Sequence, residues 1–215
     1  MAPVLCLITD RRRLGPDALH LVVHQVGAAA RAGIHLVQIR ERDLDGGPLM
    51  RMVASCVEAV RGTRTRVLVN DRLDVALAAG AHGVHLRADS MAASRARGVV
   101  PAGFLIGRSV HDAAEAARAA SDGGLDYLVF GTVFPTASKP GQAAAGVEAL
   151  TAIVESTRLP VLAVGGVTSA TAPEVARAGA AGIAAIALFA ADADDFLQMA
   201  VSQVNMAFDT PSGLP

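Results

Sequence analysis

Four stretches share one pattern: AGIHLVQI at residues 32–39, AGAHGVHL at 79–86, GGLDYLVF at 123–130 and AGAAGIAAI at 178–186. In each, glycine stands where a segment with helical periodicity ends, and a short apolar run follows directly. Glycine is common at helix ends because it adopts positive φ without strain. Short apolar runs that alternate with helical segments are typical of parallel strands joined by crossover helices. The repeat therefore predicts a recurring β/α/β/α unit.

The chain as a whole contains eight such pairs of an apolar run and a helical segment. The predicted strands are Val4–Ile8, His35–Ile39, Val67–Val69, Gly83–Leu86, Phe104–Ile106, Tyr127–Phe130, Val161–Val164 and Gly182–Ile186. A chain of 215 residues suits one domain of this kind. We predict a single (β/α)8 TIM barrel of the α/β class over residues 1–207, in preference to an open doubly wound sheet, and a loose C-terminal tail over 208–215.

Composition argues against several classes of protein. Hydrophobic residues make up 52% of the chain, yet no run of about 18 apolar residues predicts a membrane span. The N-terminus shows no basic region or cleavage site of a secretory signal, so we expect a cytoplasmic location. Cys6 and Cys56 are too few and too far apart for a disulfide framework or a zinc motif. A net charge of −1 with scattered basic residues argues against a nucleic-acid partner.

The residues that follow the strands carry the predicted chemistry, because the β-to-α loops of a TIM barrel converge at that end. Gln38 and Arg40 alternate along the second strand, so both side chains should face the barrel interior near its mouth. Arg40 suits a bidentate contact with a carboxylate or phosphate, and an ion pair with Glu41 or Asp71 is the structural alternative. Arg108, Ser109 and His111 are predicted to follow the fifth strand.

A phosphate site is predicted after the seventh and eighth strands. Gly165 and Gly166 let an anion approach backbone N–H groups, and the N-terminus of a following helix adds a favourable dipole. After the eighth strand, Ile186 and Ala187 offer only their backbone. The alternative for the glycine pair is a turn without a ligand.

The order of six segments resembles the thiamine phosphate synthase/TenI superfamily over nearly the whole chain. The segments are LITD at 7–10, VQIRER at 37–42, VNDRLDVALAAGAHGVHL at 69–86, IGRSVH at 106–111, FGTVFPTASKPG at 130–141 and AVGGV at 163–167. The resemblance implies one of two reactions on a thiazole phosphate. Thiamine phosphate synthase couples it to a hydroxymethylpyrimidine pyrophosphate with Mg²⁺ and releases pyrophosphate. The TenI branch aromatises a thiazole carboxylate phosphate by moving a proton.

The Mg²⁺ site that the synthase would need departs from the family pattern. Asp71 matches one family ligand, but the second carboxylate position, five residues after the histidine of GVHL, is Ser90, with Asp89 one place earlier. A hydroxyl is a poorer Mg²⁺ ligand than a carboxylate. Asp71 and Asp89 are therefore expected to hold Mg²⁺ only if the chain is a synthase, and a tautomerase needs no cofactor. The departure also leaves open a non-catalytic, regulatory protein that binds thiazole phosphate.

The segments GRSVH and SKPG look closer to the TenI branch, in which the matching histidine transfers the proton. His111 is the predicted catalytic residue, since histidine titrates near neutral pH; a surface or helix-capping histidine is the alternative. The resemblance implies substrate contacts for Gln38, Arg40, Arg42, Asn70, Ser109, Thr136, Ser138, Lys139, Gly166, Ile186 and Ala187.

Two structural alternatives, the place of the other histidines and the oligomeric state stay open. Asn70 and Asp71 also suit a helix cap for a segment beginning at Arg72, and Lys139 also suits a solvated turn. His85 could line the mouth of the barrel, whereas the remaining histidines are predicted to be structural or exposed; they are His20, His24, His35 and His82. A small barrel with apolar helix surface could form a homodimer.

Overall fold

Eight parallel strands form a closed barrel in the computed structural model, which describes residues 2–15, 18–136, 141, 143–190 and 194–209. The strands are β1 Val4–Ile8, β2 Leu36–Ile39, β3 Arg66–Asn70, β4 Gly83–Leu86, β5 Leu105–Val110, β6 Tyr127–Phe130, β7 Val161–Val164 and β8 Gly182–Ala185. Each strand pairs with the next in the chain, and β1 pairs with β8. The predicted TIM barrel is confirmed, and four of its eight strands have the predicted bounds at both ends.

Helices follow the strands and surround the barrel. They are α1 Leu19–Arg31, α2 Gly46–Ala59, α3 Leu73–Ala78, α4 Ala93–Arg97, α5 Ala113–Asp122, α6 Gly146–Ser156, α7 Ala172–Arg177 and α8 Asp194–Asp209. Helix α8 passes the predicted start of the tail at residue 208, and residues 210–215 of that tail lie outside the described residues. None of the described helices combines the length and the apolar character that a membrane span requires.

Strand β5 is longer than predicted. The apolar run ends at Ile106, but pairing with β6 continues to Val110, so Arg108 and Ser109 lie within the strand rather than after it. The polar pair is tolerated there because successive residues of a strand face opposite sides. Ser109 faces the cavity, while Arg108 faces outward and donates hydrogen bonds to the carbonyl oxygens of Arg87 at 3.1 Å and Ala88 at 3.2 Å.

Because side chains alternate along each strand, every second residue faces the barrel interior, and the last of these line its mouth. Leu36 and Leu68 pack in the small apolar cluster inside the barrel, whereas their neighbours Val37 and Val67 pack in the larger core outside it. Two residues beyond an inward-facing side chain, the next one also faces inward. In this way Gln38 and Asn70 follow Leu36 and Leu68 on the interior side, and His85 on β4 and Ser109 on β5 also line the cavity.

The amino ends of the even-numbered strands carry the repeated junctions. Gly33 and Gly80, at the second position of the first two copies, have φ of +87° and +67°, as a glycine-ended helix requires. The fourth position provides a hydrogen-bond acceptor to the preceding strand. His35 Nδ1 accepts from the N–H of Leu5 at 3.2 Å, and His82 Nδ1 accepts from that of Val67 at 3.0 Å. These two histidines have the structural role predicted for them.

The third copy places a carboxylate where the first two place an imidazole. Asp126 Oδ2 accepts from the N–H of Ile106 at 2.7 Å and also pairs with Arg97 at 2.6 Å. The fourth copy has Ala181 at this position and offers no side-chain acceptor. Three of the four copies therefore use the same position to bind the backbone of the neighbouring strand.

Candidate active site

A cavity of about 1330 Å³ opens at the carboxyl ends of the strands. Its wall contains most of the predicted site residues: Gln38, Arg40, Arg42, Asn70, Asp89, Ser109, His111, Thr136, Gly166, Ile186 and Ala187. Among the predicted residues that the structure describes, Asp71 alone lies beside the cavity rather than on its wall. Ser138 and Lys139 lie outside the described residues. The fold thus brings together residues from seven different segments that are far apart in the sequence.

Arg40 is a half-buried cation on the cavity wall. Burial, followed by the charge of Arg42, lowers its pKa. Within the described part of the chain Arg40 forms no ion pair, so its predicted structural alternative with Glu41 is wrong. Glu41 instead accepts hydrogen bonds from the hydroxyl of Thr9 at 2.6 Å and from the backbone N–H of Arg11 at 3.2 Å. Arg40 is left to meet an anionic ligand.

Asp71 does not pair with Arg40 either. Its backbone has φ of +62°, and its carboxylate accepts the hydroxyl hydrogen of Ser90 and lies 3.5 Å from Nη1 of Arg87. The predicted helix cap is also wrong, because α3 begins at Leu73 after Arg72 and has no side-chain cap. Ser90, which occupies the position of the second family carboxylate, is thus hydrogen-bonded to Asp71, the first of the two family positions.

Arg87 is a site residue that the sequence analysis missed. Its Nε donates to Asp89 Oδ1 at 2.9 Å, and hydrogen bonding to this guanidinium lowers the pKa of Asp89. The same guanidinium faces Asp71, so one protein cation lies between the two carboxylates that would have to hold Mg²⁺. The residues present therefore do not fit a Mg²⁺ site. The signal was available, since a cation two residues before Asp89 is well placed to pair with it.

His111 stands at the entrance to α5. Asp112 is the N-cap of that helix and accepts a hydrogen bond from the N–H of Glu115 at 2.7 Å. Glu115 Oε2 in turn accepts from the backbone N–H of His111 at 2.8 Å and lies 3.1 Å from its Nδ1. The helix-capping alternative for His111 is wrong, because Asp112 provides the cap. The carboxylate favours a proton on Nδ1 and leaves the lone pair of Nε2 for a ligand.

Glu115 is a second residue that the sequence analysis missed. It lines the cavity beside His111, whose side chain is 45% exposed. Residues four apart on a helix are neighbours, so the spacing from position 111 to position 115 was a usable signal. The pair offers a histidine whose ring is held by a carboxylate, an arrangement suited to accepting and returning a proton.

His85 lines the cavity and is 3% exposed. Its Nδ1 is 3.1 Å from the hydroxyl of Tyr127, and its Nε2 is 2.8 Å from the hydroxyl of Ser109. Burial, followed by the charge of Arg108, lowers the pKa of His85 to about 3. The imidazole is therefore neutral at physiological pH. Its predicted place at the mouth is confirmed, and its pairing with Tyr127 was not foreseen.

The predicted phosphate region has two parts. Gly165 and Gly166 have φ of +95° and +65°, and a Cβ at Gly166 would lie 2.4 Å from the carbonyl oxygen of Pro135. Packing thus requires glycine there whether or not a ligand binds. The expected contribution of a helix N-terminus does not apply to this glycine pair, because α7 starts only at Ala172, six residues after Gly166. A 3₁₀ helix at Ala187–Phe189 follows β8 instead, a common arrangement for phosphate in TIM barrels.

Comparison with known proteins assigns the chain to a protein family. A family model described as thiamine monophosphate synthase matches residues 5–189. A putative thiamine-phosphate synthase of Geobacter sulfurreducens is 42% identical over 191 residues, which cover 88% of each chain. The thiamine-phosphate synthase of Methanoculleus marisnigri is 39% identical over 180 residues and covers 82% of each chain.

Solved structures agree with the fold. A thiamine phosphate pyrophosphorylase from Pyrococcus furiosus superposes with a TM-score of 0.80 at 33% identity, covering 97% of this chain and 96% of that one. A 3-hexulose-6-phosphate synthase superposes with a TM-score of 0.66 at 18% identity, a likeness in fold alone. The three relatives described above at 33% identity or more carry the names thiamine-phosphate synthase or thiamine phosphate pyrophosphorylase.

Proposed function

This chain belongs to the thiamine monophosphate synthase/TenI family, and from that membership we propose that it is a thiamine-biosynthesis enzyme whose cavity binds a thiazole phosphate. Within the family, we propose the TenI-type reaction, the aromatisation of a thiazole carboxylate phosphate by proton transfer. The observation that carries this choice is the guanidinium of Arg87 between Asp71 and Asp89, where the coupling reaction would need Mg²⁺. The position of His111 on the cavity wall supports it.

In this proposal, the phosphate binds to backbone N–H groups at Gly166 and at the start of the 3₁₀ helix that begins with Ala187. Arg40 supplies a positive charge beside it, and Lys139 assists as the sequence predicts. A phosphate gains most from donors that are fixed before it binds, as backbone N–H groups are. The phosphate thereby holds the thiazole ring at a set position in the cavity.

His111 carries out the proton transfer in this proposal. The Nε2 lone pair takes a proton from one carbon of the non-aromatic ring, and the resulting imidazolium returns a proton to another position. No atom is gained or lost, and the ring becomes aromatic. Glu115 stabilises the imidazolium through Nδ1, which lies 3.1 Å from its carboxylate.

The coupling reaction of thiamine phosphate synthase is the second candidate. The names of the relatives at 42% and 39% identity favour it over the tautomerase. It would require Arg87 to leave the two carboxylates and Ser90 to release Asp71. The two candidates therefore differ in a measurable property, which is whether the reaction depends on Mg²⁺.

The deciding experiment assays both reactions on one preparation, with Mg²⁺ and with a chelator. We expect aromatisation of the thiazole carboxylate phosphate at the same rate in both conditions, and no release of pyrophosphate. Mg²⁺-dependent pyrophosphate release without aromatisation would overturn the proposal in favour of the synthase. Binding of thiazole phosphate in calorimetry without either conversion would instead identify a regulatory binding protein.

A variant tests the metal argument without any activity measurement. We expect the wild-type protein to bind no Mn²⁺ at this position in electron paramagnetic resonance titrations, because Arg87 occupies it. The double variant Arg87→Gly/Ser90→Asp removes the cation and restores the family carboxylate, so it should gain a Mn²⁺ site. Arg95→Gly is the matched control on α4. Tight Mn²⁺ binding by the wild type that Asp71→Asn abolishes would contradict the argument.

A further inference from the structure

We propose that Tyr127, His85 and Ser109 form a directed chain of hydrogen bonds that holds the Ser109 hydroxyl as a donor to an oxyanion of the substrate. The inference rests on the proposed function in one respect, which is that the cavity holds a thiazole phosphate. Tyr127 and His85 act through Ser109 and are positioning residues. Their effect is to fix which way the Ser109 hydroxyl hydrogen points.

The three residues come from adjacent strands. In the register of the barrel, His85 on β4 pairs with Gly107 on β5, and Gly107 pairs with Tyr127 on β6. Gly107 has no side chain, and a Cβ there would lie 2.1 Å from Cζ of the Tyr127 ring. The phenol can therefore cross β5 and reach the imidazole, with ring centroids 5.7 Å apart.

Ser109 stands two residues further along β5, at the cavity wall. Its hydroxyl lies 2.8 Å from His85 Nε2, and the Tyr127 hydroxyl lies 3.1 Å from Nδ1. Tyr127 is 6% exposed and His85 is 3% exposed. The chain thus runs from the buried interior of the barrel to the ligand-facing surface.

The number of hydrogen-bond donors and acceptors fixes the direction of the chain formed by Tyr127, His85 and Ser109. A neutral imidazole has one N–H and one lone pair. If Nδ1 carried the hydrogen, it would donate to Tyr127, and the buried phenol hydrogen would have no acceptor among the described residues. If Nε2 carries it, Tyr127 donates to Nδ1, Nε2 donates to Ser109, and each donor has a partner. Buried polar groups without partners are rare because they are costly, so the second arrangement is favoured.

The last hydrogen of the chain belongs to Ser109. Its oxygen already accepts from His85, so the hydroxyl hydrogen is free to point into the cavity. Burial lowers the pKa of His85 to about 3 and raises that of Tyr127, so both groups stay neutral at physiological pH and the donor count for a neutral imidazole applies. A donor of fixed direction suits an oxyanion, and carboxylate and phosphate share that chemistry.

The first test reads the tautomer of His85 by ¹⁵N NMR of the imidazole in the full-length protein without ligand. We expect hydrogen on Nε2 and a free lone pair on Nδ1. In Tyr127→Phe, which keeps the ring packing, we expect Nδ1–H to become populated. A wild-type His85 that carries its hydrogen on Nδ1, or that is doubly protonated at neutral pH, would overturn the proposal whatever the protein's function.

The second test measures the affinity of thiazole carboxylate phosphate and of thiazole phosphate by calorimetry. Ser109→Ala should weaken binding roughly 10-fold or more, as expected for a hydrogen bond to a charged group. Loss for the carboxylated ligand alone identifies the carboxylate as the acceptor, and loss for both identifies the phosphate. His85→Gln, which can still donate to Ser109, should bind more tightly than His85→Leu.

The outcomes separate the two proposals. If the wild-type protein binds neither thiazole, the proposed function fails and the intended acceptor for Ser109 fails with it, while the tautomer measurement still decides the hydrogen-bond chain. If the wild type binds both and Ser109→Ala binds them equally well, the proposed function stands and the role of Ser109 is overturned. Equal affinities of His85→Gln and His85→Leu would likewise remove His85 from the chain.

Discussion

The two ends of the barrel use histidine for different purposes. His82 and His85 lie at opposite ends of the same short strand segment. At the amino end, His82 accepts a hydrogen bond from the backbone of the neighbouring strand, and at the carboxyl end His85 faces the cavity. His35 and His111 repeat the contrast on other elements. The position of a residue relative to its strand, more than its chemical type, thus decides what it does.

The contrast has a simple physical origin. The amino-end acceptors, His35, His82 and Asp126, bind N–H groups of neighbouring strands and are therefore already engaged. At the carboxyl end, Arg40 has no ion pair among the described residues, and the Nε2 of His111 is left for a ligand. Engaged groups stabilise the fold, whereas groups left over can bind a substrate. Removing one of these amino-end acceptors should therefore cost stability, whereas removing Arg40 or His111 at the carboxyl end should cost function.

Acid should cause the greatest loss of stability, because it protonates His85, the buried histidine at the carboxyl end. Unfolded His85 binds a proton below about pH 6.5, whereas folded His85 does so only near pH 3. Stability that is complete above pH 6.5 should therefore fall as the pH is lowered through this window. At pH 4 the loss in free energy of unfolding is expected to be about 3 kcal/mol.

His85→Gln should remove that part of the pH dependence, as urea unfolding at pH 7 and pH 4 would show. His20→Gln, on the exposed face of α1, is the control and should keep the wild-type slope. An unchanged acid loss in His85→Gln would mean that the charging of His85 does not destabilise the fold. The half-buried His82 should contribute in the same direction, because burial lowers its pKa too.

The next largest effect is expected on ligand affinity, from the replacement of Arg40 on the cavity wall. Arg40→Ala should weaken binding of thiazole phosphate roughly 10- to 100-fold, because it removes a charged donor from the cavity wall. Arg66→Ala, at the exposed amino end of β3, is the matched control and should bind normally. Calorimetry would measure both affinities. Equal losses for the two variants would show that net charge rather than position determines binding.

Asp126 gives the smallest effect and tests the amino end. Asp126→Ala leaves the buried N–H of Ile106 without its acceptor, so the free energy of unfolding should fall by about 2 kcal/mol. Asp126→Asn retains an acceptor oxygen and should lose less, while both variants keep the wild-type turnover number. A turnover defect in folded Asp126→Ala would show that the two ends are not independent.

Much of the fold could be predicted because its signals are local. The glycine at each junction and the apolar run after it are readable in AGAHGVHL and its three counterparts, and β4 and β6 have the predicted bounds. Strand β5 could not be predicted to its end. Gly107 to Val110 are held in the sheet by pairing with β6, which is a contact between distant parts of the chain.

The site could be predicted as a set of positions but not as a set of contacts. Alternation along a strand placed Gln38 and Arg40 on the correct side, since it depends on sequence spacing alone. The guanidinium of Arg87 beside Asp71, and the phenol of Tyr127 beside His85, depend on which strands are neighbours. Those contacts decide the proposed reaction and the orientation of its groups, and only the folded structure contains them.

The proposed proton transfer by His111 is tested by kcat/KM for aromatisation and the free energy of unfolding, measured on the same preparations of His111→Ala and His82→Ala. For His111→Ala, we predict a loss of activity of roughly 10²- to 10⁴-fold and unchanged stability. For His82→Ala, we predict a loss of stability of about 1 to 3 kcal/mol, because the N–H of Val67 loses its acceptor, and wild-type turnover. Full activity in His111→Ala would rule out His111 as the proton-transfer group, and lost turnover in folded His82→Ala would show that the amino end also serves catalysis.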